Sequence, residues 1–215
     1  MTENYYFIDG SSLLAQIRNL QKKSSKYKKR KLDILKLILH FSSSSIDLGS
    51  QSYKRAVIYF PKGETTIKDF LLIPDFKKPK LVRDFHIKYC GEKIKGSEAF
   101  NNFVRLKVPE KYQHRFTKSE KGIDIEMCCD ALRLAGIGKL ERLFLLTNDS
   151  DFVPLCRTLK DFGANISLIH LSEKISPNES LLKQCDSYDT VPENELNGMF
   201  LPIPQPKPNP ELTVK

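Results

Sequence analysis

Two kinds of hydrophobic pattern alternate along the chain. YYFI (5–8), RAVIYF (55–60), RLFLLT (142–147) and NISLIHL (165–171) are short, nearly unbroken apolar runs. Such runs read as strands buried on both faces, since a strand covered on one face alternates apolar and polar residues. DFHIKYC (84–90) alternates in that way and FVRLKVP (103–109) is a further strand candidate. Between these runs the apolar positions recur every three or four residues. SSLLAQIRNL opens on serine caps and sets Leu13, Leu14, Ile17 and Leu20 on one helical face. LDILKLILHF predicts a second helix, and TIKDFLLIPDF a helix stopped by Pro74. IDIEMCCDALRLAG (123–136) predicts a helix closed by Gly136, and DFVPLCRTLKDFG one with Gly163 at its end. NISLIHL is expected to be the last strand, with NESLLKQCDSYDTV closing the fold. SSSSIDLGSQS reads as a polar connector. No segment repeats.

Strands alternating with helices predict an α/β domain: a mainly parallel sheet flanked by helices on both faces. The expected boundaries are a domain over residues 1–198 and an extended, proline-rich tail over 199–215. In sheets of this kind, functional groups gather beyond the carboxyl ends of the strands. Asp9 follows the first predicted strand, and Asp149 and Asp151 follow RLFLLT.

Two carboxylates one residue apart repel each other, and burial worsens the repulsion. Solvent, a helix N-terminus or a cation can relieve it. Carboxylates from two strand ends meeting in one crevice form a hard oxygen site suited to Mg²⁺ or Mn²⁺. Such an ion activates water and stabilises charge on a phosphate in transfer. The plainer alternatives are that Asp151 caps the helix beginning at Phe152 and that Asp9 belongs to a turn with Gly10.

Charge narrows the partner. The formal net charge of +9 favours a polyanion, nucleic acid or an acidic surface. Lys22, Lys23, Lys26, Lys28, Lys29, Arg30 and Lys31 form one basic run, placed after the helix that leaves Asp9, where it could flank the crevice and meet phosphates. Lys77, Lys78, Lys80 and Arg83 form a weaker cluster. Phosphate contacts of this kind give affinity without sequence choice. The alternative is a solvated surface.

No run reaches the ~18 apolar residues of a membrane span. The start, MTENYYF, lacks the pattern of a secretory signal. Five cysteines without a CxxC suit a reducing, cytoplasmic setting better than a disulfide framework. No GxGxxG or GxxxxGK[ST] supports a nucleotide cofactor. Asp9-Gly10-Ser11-Ser12-Leu13 fails both the DxSxS and the DxDxT patterns. His40, His86, His114 and His170 show no metal-ligand spacing, and Cys128, Cys129 and Cys156 are expected to pack in helices.

Four stretches carry a family resemblance. YYFIDGSSL resembles the first motif of NYN domains, a branch of the PIN-like nuclease superfamily, and KGIDIEMCCDALRL (121–134) resembles their second. LFLLTNDSDFVPLCRTLKDFGANISLI (143–169) resembles the third, and NESLLKQCDSYDTV the family's closing helix. The resemblance covers roughly residues 4 to 191 and implies a PIN-like, Rossmann-type sheet and a metal-dependent nuclease acting on RNA. It maps catalytic, metal-holding roles for Mg²⁺ or Mn²⁺ onto Asp9, Asp124, Asp149 and Asp151. Asp130 matches a further aspartate of the second motif, but lies about 120° round the helix from Asp124 and is expected to support rather than ligate. Ser12 stands where many members carry asparagine, and with Lys121 and the basic run it is expected to contact RNA. The resulting expectation is an endoribonuclease, monomeric or homodimeric, without membrane contact. The competing readings are a catalytically weak RNA-binding or scaffold module with the same fold, and a phosphatase, which the charge disfavours.

Overall fold

The computed structural model describes residues 2–44, 54–73, 84–94, 105–107, 109 and 119–202. In chain order the elements are β1 (Glu3–Asp9), α1 (Gly10–Lys23), β2 (Arg30–Asp33), α2 (Ile34–Ser44), β3 (Lys54–Lys62), α3 (Ile67–Phe70), β4 (Leu71–Leu72), β5 (Asp84–Ile94) and β6 (Ser119–Lys121). They continue with α4 (Ile123–Gly136), β7 (Leu140–Leu146), α5 (Val153–Asp161), β8 (Asn165–His170), α6 (Glu179–Leu182), β9 (Ser187–Thr190), α7 (Glu193–Met199) and β10 (Phe200–Pro202). The main sheet runs β6-β5-β3-β1-β7-β8-β9. All its pairings are parallel except the β5–β6 edge. The α/β expectation therefore holds.

β1 sits at the centre because both its faces are apolar. Tyr6 and Ile8 point into one core, Tyr5 and Phe7 into the other. Tyr6 stacks on Phe144 of β7 at 4.4 Å, and Phe7 meets Tyr59 of β3 edge-on at 5.2 Å. Each fully buried apolar side chain of this size contributes about 1.5–3 kcal/mol. The strand is thereby fixed, and so is the aspartate at its end. On one side lie α1 and α2, with Leu13, Leu14, Ile17 and Leu20 all buried as the spacing predicted. On the other side α4 and α5 bury Met127, Ala131, Leu155, Cys156 and Leu159.

Several local expectations are corrected. Asp9, not a serine, caps α1. LDILKLILHF divides: Arg30–Asp33 is a strand before the helix begins at Ile34. TIKDFLLI keeps only the four helical residues of α3, then joins a second sheet of order β10-β2-β4. Residues 105–107, expected in a strand, are helical and exposed. β8 is not the last strand, because the closing segment forms only the four residues of α6 before entering β9. Residues 199–202 belong to the fold rather than to a tail: Met199 and Phe200 are buried, and Phe200 pairs with Leu32. Cys129 is exposed, while Cys156 and Cys128 pack as expected, and all five cysteines are free. The remaining tail, most of the serine-rich connector, His114, and Lys77, Lys78, Lys80 and Arg83 lie outside the described residues. No helix among the described residues is long and apolar enough to cross a membrane.

Candidate active site

β1 and β7 are parallel neighbours with Ile8 opposite Leu146, so the residues just beyond those positions, Asp9 and Thr147, emerge side by side. This is the carboxyl edge of the sheet, and a crevice of about 350 Å³ opens there. Asp9, Ser12, Thr147, Asn148, Asp149 and Asn178 are among its lining residues. The close approach of α1 to the sheet depends on Gly10. A Cβ there would collide with the Phe60 ring and come within 2.6 Å of the Tyr59 carbonyl oxygen.

Asp9 is the buried acid of the site. Its Oδ1 accepts hydrogen bonds from the backbone N–H groups of Ser11 (2.9 Å) and Ser12 (3.2 Å), the first turn of α1. The Thr147 hydroxyl donates to Oδ2 at 3.1 Å. Burial penalises the ionised form and pushes the pKa from 3.8 up to about 6, with the Asp124 charge adding to the rise. The three hydrogen bonds pull the other way and do not offset burial. Thr147 also accepts from the Asp149 N–H at 3.3 Å, so one buried hydroxyl spans both acids.

Asp149 and Asp151 are both exposed, so water relieves much of their repulsion. Asp149 is the cap, its Oδ1 accepting from the Asp151 N–H at 3.0 Å over a 3₁₀ turn, Ser150–Phe152, that leads into α5. The sequence offered that capping role to Asp151. Asp124 lies in the first turn of α4, half-buried, close enough for its charge to act on Asp9. Of the four acids only Asp9 and Asp149 line the crevice; Asp124 and Asp151 do not. Among the described residues, no three Asp, Glu, His or Cys side chains stand close enough together to hold an ion as they are placed.

Asp130 faces elsewhere. Lys88 (2.7 Å), Arg133 (3.1 Å) and the Tyr59 hydroxyl (3.0 Å) all bind its carboxylate. Ser12 lines the crevice, and its hydroxyl accepts a long 3.5 Å contact from Gln16. Lys121 ends β6 and is followed by Gly122 at φ 91°, a left-handed backbone that suits glycine, where a Cβ would come within 3.3 Å of the Gly91 Cα.

The basic run stands apart from the crevice. Lys22 and Lys23 are at the opposite end of α1 from Asp9, and 14 residues at ~1.5 Å each make that about 20 Å. Lys26 pairs with Glu193 (3.6 Å) and Arg30 with Asn197 (3.3 Å).

Thr147, Asn148 and Asn178 were not singled out in the sequence. Thr147 and Asn148 lie inside the third motif beside the more conspicuous acids. Asn148 accepts from the Asn178 N–H at 2.6 Å and donates to the Ser176 carbonyl at 3.2 Å, which ties the loop after β8 to the crevice. Asn178 in turn caps α6. That contact joins residues 30 positions apart, and no local pattern announces it. His170 is buried and structural, its Nε2 bonded to the Thr147 carbonyl at 3.0 Å.

Among solved structures, the crystal structure of a protein of unknown function from Vibrio parahaemolyticus is similar to this chain. It covers 93% of this chain and 97% of that one, with 12% sequence identity and a TM-score of 0.46. No curated protein matches the sequence. The model of the NYN domain matches residues 6–191, a span that takes in both strand ends of the crevice together with Asp9, Asp124, Asp149 and Asp151, and this chain belongs to the NYN domain family.

Proposed function

We propose that this protein is a metal-dependent endoribonuclease whose active site is the crevice between the ends of β1 and β7. Membership of the NYN family, a PIN-like nuclease family, suggests nuclease activity. The observation that carries the finer reading is Asp9: a carboxylate buried at the junction, with a second acid charge acting on it. Burial and a like charge both disfavour its ionised form, and an arrangement of this kind is stabilised when a cation shares it.

The donor set suits a hard divalent ion by its chemistry, and binding one would have to draw together acids that stand apart in this structure. A carboxylate offers about four acceptor positions. Asp9 has three described hydrogen bonds, two on Oδ1 and one on Oδ2, leaving a position open on Oδ2. Asp9, Asp124 and Asp149 would hold Mg²⁺ or Mn²⁺, with Asp151 holding a second ion or placing the attacking water. The bound ion supplies Lewis acidity and a more acidic water. The chain's own groups do the rest. The first turn of α1 and Thr147 fix the direction of Asp9, Thr147 bridges to the Asp149 N–H, and the Ser12 hydroxyl, which lines the crevice, would contact a phosphate oxygen. The positive net charge raises the local concentration of RNA. Five free cysteines fit a reducing, cytoplasmic setting.

Incubation with a labelled circular single-stranded RNA tests the reading. Linearisation in Mg²⁺ or Mn²⁺ that stops in EDTA is the expected result, and only endonucleolytic cleavage opens a circle. Undiminished cleavage in EDTA overturns metal dependence. RNA binding without cleavage in either ion favours the binding-module alternative, the reading to which the spread of the acids lends weight.

A further inference from the structure

The basic segment has a geometry that its sequence did not disclose. The Gln21 side-chain amide donates to the Arg30 carbonyl at 3.0 Å, folding the start of β2 back beside the last turn of α1. The chain between them therefore stays at the end of α1 away from Asp9. Tyr27 anchors it, buried with its ring 4.8 Å from Phe200. Lys28 and Lys29 stand exposed on that frame. Among the described residues, no acidic group lies within ion-pairing distance of Lys22, Lys23, Lys28, Lys29 or Lys31.

Folding accounts for some of these charges and not for others. Lys22 and Lys23 complement the negative end of the α1 dipole. Lys28 and Lys29 have no such role. Lys29 is at φ 56°, the one non-glycine residue at positive φ among the described residues. Side chains with a Cβ are strained there and glycine is not. A lysine in that place is therefore not explained by the fold. A bilayer is a poor partner, because the segment's one aromatic, Tyr27, is buried and leaves no apolar anchor. Separate lysines on a fixed frame suit the regularly spaced phosphates of a nucleic acid strand.

We infer that Lys28, Lys29 and Lys31, with Lys22 and Lys23, form a second RNA-holding surface about one α1 length from the acidic crevice, so that good substrates are strands long enough to span both. The span of about 20 Å corresponds to about six stacked nucleotides at ~3.4 Å each. The cleavage part of this inference rests on the proposed nuclease function; the binding part does not.

The variant Lys28→Ala/Lys29→Gly/Lys31→Ala and the single variant Lys29→Gly test it against the parent protein. Binding of a labelled single-stranded RNA of about 20 nucleotides is measured in EDTA across salt concentrations. The triple variant is expected to lower the slope of log affinity against log salt by roughly 2, at ~0.7 for each phosphate no longer neutralised. Lys29→Gly is expected to lower it by roughly 0.7 while its Tm stays level or rises, since glycine relieves the backbone. With Mg²⁺ present, kcat/KM of the triple variant falls at least tenfold more for the long RNA than for a trinucleotide. An unchanged salt slope overturns the inference, as does a lower Tm of Lys29→Gly without a change in slope. Equal losses on long and short substrates place the lysines at the crevice and overturn the two-surface geometry. Binding to phosphatidylserine vesicles without binding to RNA overturns the choice of partner. If the parent cleaves no RNA, the nuclease reading fails while the salt slope still decides this one.

Discussion

Asp9→Asn separates the stability of the site from its chemistry. Asparagine keeps the Oδ1 acceptor for the Ser11 and Ser12 N–H groups, so the α1 cap survives. It resembles the neutral form of the aspartate. In the folded protein without metal, the Asp9 pKa is raised from 3.8 to about 6 by burial. Each tenfold change in proton affinity is worth about 1.4 kcal/mol, so carrying the charge at neutral pH costs the fold about 3 kcal/mol. Accommodating the new amide beside the Thr147 hydroxyl takes back about 1 kcal/mol. The metal-free variant is thus expected to gain about 2 kcal/mol at pH 7, roughly 4–8 °C in Tm for a chain of this size. The pH dependence carries the same sign. Folded Asp9 holds its proton more tightly than the unfolded chain does, so its contribution is fully present below pH 3.8 and is lost as pH rises through about 6. Over that window the parent should lose stability relative to Asp9→Asn. Thermal melts of both proteins in EDTA from pH 4 to 7, repeated with Mg²⁺, make the measurement. Mg²⁺ should raise the parent's Tm and move the variant's little, because a ligand stabilises in proportion to its binding. A variant less stable than the parent at pH 7 in EDTA would refute the reasoning, by showing that the charged cap outweighs its burial.

Asp149→Asn should leave the metal-free fold intact, since asparagine can still accept from the Asp151 N–H, while RNA cleavage drops by orders of magnitude; normal cleavage per folded molecule would make Asp149 a capping residue only. Thr147→Val removes the hydroxyl that donates to Asp9 and accepts from the Asp149 N–H, at a cost of about 1–3 kcal/mol in denaturant unfolding. The same change removes a bond that lowers the Asp9 pKa, so the pH profile of cleavage should move upward, and Thr147→Ser should restore it. Gly10→Ala forces a methyl against the Phe60 ring and the Tyr59 carbonyl, and should destabilise the fold by about 3 kcal/mol or more, read as a lower denaturant midpoint.

The sequence by itself determined the central strands. YYFI and RLFLLT are apolar on consecutive positions, and only a strand covered on both faces buries all of them. The same logic set Asp9 at the end of one strand and Asp149 just past another, and the period of α4 gave its bounds directly, because 14 residues of helical repeat are long enough to read. The short elements were not legible in this way. β2, β9 and α6 have four residues each, too few for a period to declare itself, and β10 makes its strand only by pairing with β2 about 170 positions earlier. Tertiary structure also decided the roles of the acids. Composition cannot say that Asp9 is buried while Asp149 is exposed, nor that Thr147 joins them, since these follow from β1 and β7 lying side by side. The basic run was visible as charge, yet its place was not. A rigid helix carries it about 20 Å from the acids it was expected to flank, and distance in a fold is set by the elements between two residues rather than by their separation in sequence.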